Sequence, residues 1–429
     1  MFVAVWGCGG TWPEFSVAIF SVFALASCLF LSFGYCDVIR GWDLLSGAEK
    51  ILVVFLFLFA TLAFSQCFVY NMEAIQRENL LVILPQNIPS WLPSSVDTDY
   101  SKGGALKAFA SIFCAVSAFV FALLFSKRKS LAVCALYMFA ATISAAGLFG
   151  ILQKASYEHY TYGVFYSESA KYGTFFISNS AGAVFNLGLC ASLALVYYEF
   201  SGKGFVAYIK SLPPLAFAGL CAYAAFDCES VGALCIACLQ VPLFIAVMLF
   251  SKKRIKWFFI VCAVAGCAAF AVAPKIADMN FPKNALNSIE SRVFINSVSL
   301  EILKTPRLWG TGGGSYGFYA TPMLVEHTKN DVFRTPQSIV NAHNDILEFA
   351  IEYGIIGCVL MAGMFLSYLA AIKKNCAKLT KTNAVIISGL LLCLLHSLTD
   401  LHLHVMSALI IAAFAAALAL ANFGRDCGK

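Results

Sequence analysis

Residues 341–357 read NAHNDILEFAIEYGIIG, and a long apolar run from Ile355 to Ile372 follows directly. A helix that crosses the hydrocarbon core of a bilayer needs about 20 mostly apolar residues. Ionisable side chains are costly within a membrane, so a cluster of them at the mouth of such a helix is a candidate functional feature. The stretch therefore predicts a membrane helix that begins beside a polar site.

The composition of the chain extends this prediction to the whole protein. Its 429 residues are 60% hydrophobic and 12% charged, with a mean hydropathy of +0.81. Soluble domains are far less apolar, so we predict an all-α polytopic membrane protein with about 11 or 12 transmembrane helices. The individual spans are predicted at 14–36, 50–70, 104–125, 131–152, 175–198, 208–227, 231–250, 255–273, 355–372, 383–399 and 403–422.

The cysteines and the positive charge fit a membrane protein. Most of the 17 cysteines lie in apolar runs, where Cys packs as a small hydrophobe, and the polar segment 274–345 has none. Lys and Arg gather in short loops such as SKKRIK (251–256) and KKNCAK (373–378), a pattern typical of cytoplasmic loops rather than of nucleic-acid binding. The longer segments 71–103, 153–174 and 274–354 are then extracytoplasmic, and the last of them ends in the opening motif.

The helix of the opening motif has two interpretations. Asn344 is a suitable N-cap, and a solvated face accounts for Asp345 and Glu352. His343 is not explained in this way, because His is not a preferred cap. A base beside the free N–H groups of a helix start favours an anion such as phosphate, so His343 is a candidate site residue.

The segment 291–319 contributes an arginine and a glycine-rich turn. Arg292 stands at the start of a predicted amphipathic helix, where the helix dipole disfavours a cation, so we expect an acidic side chain or a ligand phosphate as its partner. The turn RLWGTGGGS (307–315) allows close approach of backbone N–H groups to phosphate at Gly312 and Gly313. It lacks the Lys-Ser/Thr pair of a nucleotide-binding loop, and a flexible surface turn is an equally good interpretation.

The stretch HSLTDLHLH (396–404) separates the last two spans. His396, Asp400 and His404 recur at i, i+4 and i+8, which suits either a metal or a base with an orienting carboxylate. The stretch must turn tightly between Asp400 and His402, no Cys joins it, and a third ligand is not evident. We therefore predict no metal site and no cofactor.

Taken in order, these stretches resemble the O-antigen ligase and polymerase-like membrane family. The resemblance covers about 173–422, and residues 1–172 would form an additional N-terminal transmembrane bundle. It is carried by GTFFISNSAGAVFNLGL (173–189), SRVFINSVSLEILKTPRLWGTGGGSYGFY (291–319), NAHNDILEFAIEYGIIG (341–357) and HSLTDLHLHVMSALIIAAFAAALA (396–419).

The resemblance implies a GT-C-like glycosyltransferase of the bacterial inner membrane, with its active site on the extracytoplasmic face. Such a protein transfers a glycan from undecaprenyl pyrophosphate to lipid A-core sugar, a growing polysaccharide chain or a protein hydroxyl, with inversion. Its partners would be the lipid-linked glycan donor, a glycan, lipid or protein acceptor, and the bilayer. His343 and Arg292 match the catalytic residues, and the expected substrate-binding residues are Asn344, Glu348, Arg307, Arg334, Gly312, Gly313, His396 and Asp400.

One position departs from the family pattern. The family often has Arg at the outer start of a middle helix, where CESVGA (228–233) has Val231. A cation that grips phosphate would then come from elsewhere, and the candidates are Lys154, Arg307 and Arg334.

A flippase or other transporter of a lipid-linked glycan is the alternative function. It predicts a polar cavity through the midplane, lined by ionisable residues. The predicted spans are nearly free of charged residues, which favours the enzyme.

Overall fold

The computed structural model describes most of the chain. The described residues are 2–6, 13–33, 35–77, 80–85, 88–89, 91–97, 104–156, 160–161, 165–166, 172–175, 177–202, 204–249, 281–328, 341–376 and 379–424. The predicted span 255–273 and Arg334 lie outside these residues.

Helices dominate the described residues. They are α1 (Phe2–Trp6), α2 (Pro13–Phe33), α3 (Tyr35–Leu44), α4 (Gly47–Ser65), α5 (Gly104–Phe125), α6 (Lys129–Ser156), α7 (Ser178–Phe200), α8 (Phe205–Asp227), α9 (Val231–Leu249), α10 (Phe281–Leu303), α11 (Tyr316–Thr328), α12 (Asp345–Asn375), α13 (Lys381–Ser397) and α14 (Met406–Ala419). Helices α4 to α9 and α12 are long and apolar enough to cross a membrane, and α13 and α14 are shorter apolar helices. The protein is therefore an all-α polytopic membrane protein, as predicted.

The predicted spans coincide with these helices within a few residues, apart from 255–273 and from the start of α12. Helix α12 begins at Asp345, ten residues before the predicted span 355–372, so it includes the acidic part of the opening motif. The side chain of Asn344 caps it by accepting a hydrogen bond from the Leu347 N–H at 3.2 Å. The predicted cap is thereby confirmed.

Helix α7 lies inside the bundle. Nearly all of its side chains are buried, and it packs against α6, α8, α9, α13 and α14. Small residues permit this close packing: a Cβ added at Gly188 would lie 2.5 Å from Ile143 Cγ2. Among the described helices, the centre of the bundle is therefore filled by side chains.

Helices α4 and α5 connect the N-terminal part of the chain to its C-terminal part. Helix α4 packs along α12, and α5 packs along α14. At the end of α12 farthest from His343, Asn375 Nδ2 donates to Glu49 Oε1 at 3.1 Å, and Lys127 forms a buried ion pair with the same carboxylate. This network fixes that end of α12 to α4 and to the turn after α5.

The segments between α4 and α5 and between α6 and α7 contain short strands that the sequence did not predict. Strand β1 (Tyr70–Arg77) pairs antiparallel with β2 (Leu80–Pro85) and parallel with β3 (Ser95–Asp97), and β4 (Tyr160–Thr161) pairs with β5 (Phe165–Tyr166). The first sheet lies beside the glycine-rich turn, because Trp309 Nε1 donates to the carbonyl of Trp91 at 2.8 Å.

Helix α12 is kinked at Gly354, where φ is +62°. The kink frees backbone groups, and residues 307–312 pair with them in the manner of an adjacent strand. Glycine is required on both sides, since a Cβ at Gly310 would lie 2.2 Å from the carbonyl oxygen of Glu352 and one at Gly354 would lie 2.2 Å from Gly310 N. The four bonds are Ile355 N to Arg307 O, Ile356 N to Leu308 O, Thr311 N to Ile351 O and Gly312 N to Glu352 O, at 2.9–3.1 Å.

Candidate active site

Asp400 joins the two residues that the sequence analysis singled out as catalytic. Its Oδ2 accepts a hydrogen bond from Arg292 Nη2 at 3.0 Å, and its Oδ1 lies 3.4 Å from His343 Nδ1. The Asp400 side chain is only 1% exposed, whereas Arg292 is 22% and His343 is 33% exposed. A buried carboxylate therefore orients two accessible groups, and we call these three residues the Asp400 bridge.

Arg292 reaches this bridge from the middle of a helix. The prediction that it starts a helix is wrong, because α10 already begins at Phe281, with Pro282 in the first turn, where proline is well tolerated. The expectation of an acidic or phosphate partner is met within the protein by Asp400. A guanidinium group has five N–H donors, so this pair occupies only part of its capacity.

His343 has a backbone conformation that is uncommon for residues other than glycine, with φ of +50°. The segment before it is held by Glu348, whose Oε2 accepts from the Ala342 N–H at 2.7 Å and whose Oε1 accepts from Asn341 Nδ2 at 2.8 Å. Asn344 holds the following helix start. The backbone is therefore held on both sides of His343, by Glu348 before it and by the Asn344 cap after it.

The acidic face of α12 is buried rather than solvated. Asp345, Glu348 and Glu352 are at most 1% exposed, so the predicted solvated face is wrong. The hairpin after α13 covers them: Asp345 Oδ2 accepts from the N–H groups of His402 and Leu403, and Asp345 Oδ1 lies 2.7 Å from His404 Nδ1.

His404 is the centre of this group. Its Nε2 lies 3.6 Å from Glu348 Oε1 and 3.7 Å from Glu352 Oε2. Burial alone would lower the pKa of His404, but the charge of Glu348 and the contacts with Asp345 and Glu352 raise it well above the ordinary value. His404 is therefore a cation at neutral pH, and we call these four residues the His404 cluster.

The net effect at Asp400 is also to favour its charged form. Burial tends to raise the pKa of Asp400, but the hydrogen bond with His343, followed by the interactions with His402 and Arg292, lowers it below the ordinary value. An ionised Asp400 accepts the Nδ1–H of His343, which leaves Nε2 of His343 as the basic nitrogen.

Replacing His404 with Gln is expected to destabilise the protein by about 3 kcal/mol, because the buried acidic side chains around it then lose their cation. The measurement is thermal unfolding of the purified protein in detergent. A second change, Asp345→Asn, should recover part of the loss, since it removes one of the unpaired charges. A single variant that melts with the wild type would contradict the charged state assigned to His404.

Two further histidines, His396 and His402, lie next to Asp400. The rings of His396 and His402 are 4.0 Å apart, and both side chains are buried. Burial lowers the pKa of His402, so its ring is neutral. A Cβ added at Gly232 would lie 2.3 Å from His396 Nε2, which places the beginning of α9 against this pair.

The glycine-rich turn uses its N–H groups within the protein. Gly312 N donates to the Glu352 carbonyl, and Gly313 N donates to Gln66 Oε1 at 3.0 Å. Their predicted role in substrate binding stays a prediction. The contacts described here close the kink of α12 and join it to α4.

The alternative cations have different surroundings. Lys154 forms ion pairs with Asp227 and Glu229, so its charge is already balanced. Arg307 is exposed and donates to Tyr319 Oη at 2.9 Å. It also lies at a largely apolar cavity of about 330 Å³ that α12 residues such as Ile355, Val359 and Ala362 line.

These observations define a class: a helical multi-pass membrane protein with an Arg–Asp–His site at one end of its bundle. Residues 215–362, about a third of the chain, match the family model described as O-antigen ligase. The match includes Arg292 and His343, so this region of the chain is O-antigen ligase-like. No curated protein matches the chain.

From the sequence, His402 has no assigned role, His404 is only a possible metal ligand or base, and Asp345 and Glu352 are outside the predicted site. A signal was present, because three acids at helical spacing on an apolar helix need partners if they are buried. The hairpin between the last two helices, which carries His402 and His404, was the available source of such partners. What the sequence could not supply was the contact between α12 and this hairpin, which lie more than fifty residues apart.

Proposed function

We propose that the protein transfers a glycan from undecaprenyl pyrophosphate to an acceptor hydroxyl at the extracytoplasmic face of the bacterial inner membrane. The observation that carries this proposal is the Asp400 bridge, which holds a basic nitrogen and a cation side by side. The acceptor is a lipid A-core sugar, a growing polysaccharide chain or a protein hydroxyl.

In the proposed reaction, the acceptor oxygen attacks the anomeric carbon of the donor sugar. The bond between that carbon and the pyrophosphate oxygen breaks, and the electron pair leaves with undecaprenyl pyrophosphate. His343 Nε2 takes the proton of the acceptor hydroxyl, and Asp400 stabilises the imidazolium that forms. Attack opposite the leaving group inverts the anomeric centre.

Arg292 supplies positive charge to the leaving pyrophosphate. Its guanidinium retains N–H donors beyond the one that Asp400 accepts, and a guanidinium binds phosphate oxygens in bidentate geometry. Arg307 is the second cation in this proposal, and the apolar cavity beside it accommodates part of the polyprenyl chain.

The proposal is tested with the purified full-length protein in nanodiscs, supplied with a lipid-linked glycan donor and a lipid A-core acceptor. Transfer of the glycan with release of undecaprenyl pyrophosphate supports it. The transporter alternative is tested with the same donor in proteoliposomes. Movement of intact donor between leaflets, with no transfer to any acceptor offered, would replace the enzyme with a flippase.

A further inference from the structure

His396 and His402 lie next to Asp400 of the Asp400 bridge. Together the three side chains form a compact set of residues that commonly bind metals in proteins. One ligand atom from each residue lies within 4.8 Å of the other two. The sequence analysis set a metal aside because no third ligand was evident beyond His396 and Asp400. Because α13 ends at Ser397, the hairpin turns back and brings His402, rather than His404, to this position.

The two imidazoles are unusual because their nitrogens have no partners. Both side chains are at most 3% exposed, and within the described residues none of their four ring nitrogens makes a hydrogen bond of ordinary distance and angle, although the His396 backbone acts on the His402 ring. Buried polar groups are normally hydrogen-bonded, so a set of four without partners calls for an explanation. Neutral imidazole nitrogens are the commonest metal ligands in proteins.

Two carboxylates lie next to the pair, and each of them also contacts a basic residue, Arg292 at Asp400 and His404 at Asp345. Asp400 and Asp345 both place negative charge at the His402 ring, and Asp345 also holds the His402 N–H. Arg292 lies on the other side of Asp400 and opposes a cation. Asp400 accepts hydrogen bonds from Arg292, His343 and the Leu401 N–H, which leaves about one of the four lone-pair directions of its carboxylate.

We propose that His396, Asp400 and His402 bind a divalent transition metal, with Zn²⁺ as the best match to two imidazoles and one carboxylate. Ligand atoms at about 2.1 Å from a tetrahedral zinc ion lie about 3.4 Å apart, so binding shortens the separations within this set, which are at most 4.8 Å, by no more than about 1.4 Å. Three protein ligands leave the fourth position of a tetrahedral ion for water or a substrate oxygen. This site goes beyond glycan transfer. It shares Asp400 with the Asp400 bridge, but its test does not depend on transfer activity.

The test measures metal rather than activity. The full-length protein is purified in detergent, dialysed against a small excess of Zn²⁺ and then against metal-free buffer, and zinc per chain is measured by mass spectrometry. We expect about one zinc per chain in the wild type and less than a tenth of that in His396→Asn and His402→Asn. His404→Gln is the matched control, and it should retain its zinc although it is less stable.

Cobalt substitution keeps the test decisive if the two Asn variants do not fold. Wild-type protein loaded with Co²⁺ should show the visible absorption of a four-coordinate nitrogen and oxygen site, and Zn²⁺ should remove it. Folded wild-type protein with neither zinc nor this absorption overturns the proposal. Loss of zinc in His404→Gln alone also overturns it, because the metal would then belong to the His404 cluster.

Discussion

Replacing His343 with Ala is expected to abolish long surface glycan while the protein remains at its normal abundance. Loss of a general base slows a reaction by roughly 10²- to 10⁴-fold, and the side chain is a third exposed, so its removal disturbs little packing. The measurement is a gel of surface polysaccharide from the native host together with a blot of the protein. Lipid-linked donor should accumulate on the outer leaflet.

The matched control is His343→Asn. Asn tolerates the left-handed backbone conformation that residue 343 adopts better than Ala does, so it should fold at least as well. Both variants should lack transfer activity, because neither has a basic nitrogen. Normal glycan in the Ala variant would show that His343 is only structural, and donor trapped on the inner leaflet would indicate a flippase.

The second large effect is expected for Asp400→Asn. The change leaves Arg292 without its buried counterion and His343 without the acceptor that fixes its tautomer. We expect a loss of at least about 100-fold in transfer rate. The expected destabilisation is about 2 kcal/mol, below the usual range for buried pairs, because Arg292 keeps about a fifth of its surface exposed.

Two further variants distinguish the effect of the buried charge on stability from the effect of Asp400 on the transfer reaction. The double variant Arg292→Gln with Asp400→Asn removes both charges, so it should recover stability without recovering activity. Glu301 lies on the same helix as Arg292 and forms an exposed pair with Lys304, which directly follows that helix. Glu301→Gln breaks this pair and should change stability by less than about 0.5 kcal/mol. A fully active Asp400→Asn protein would remove Asp400 from the proposed mechanism.

The membrane helices were predictable because their signal is local. A span such as 104–125 is an uninterrupted apolar run, and a helix in lipid must satisfy its own backbone hydrogen bonds, so length and composition are enough. The cap at Asn344 was predictable for the same reason, because it involves residues three apart. The kink at Gly354 was not, since it depends on a segment about forty residues earlier.

The site was only partly predictable. The sequence shows which residue types can bind phosphate or transfer protons, but not which of them contact one another in the fold. Arg292, His343 and Asp400 were identified as residue types that suit phosphate and proton transfer. That Asp400 joins the other two depends on α10 and α12 meeting the same hairpin, which no spacing in the sequence encodes. The burial of Asp345 and Glu352 depends on the same contact, so a helix face that looked solvated is covered.

The order of synthesis favours correct assembly of the interlocked kink of α12. Residues 307–312 leave the ribosome before Asp345–Asn375, so the segment that pairs with the broken helix already exists when the helix is made. Unpaired backbone groups in lipid cost several kcal/mol each. A chain with the reverse order would have to insert a broken helix and hold it unpaired until its partner arrived. Here the backbone N–H groups of Ile355 and Ile356 can form their hydrogen bonds with the carbonyls of Arg307 and Leu308 as soon as the helix is made.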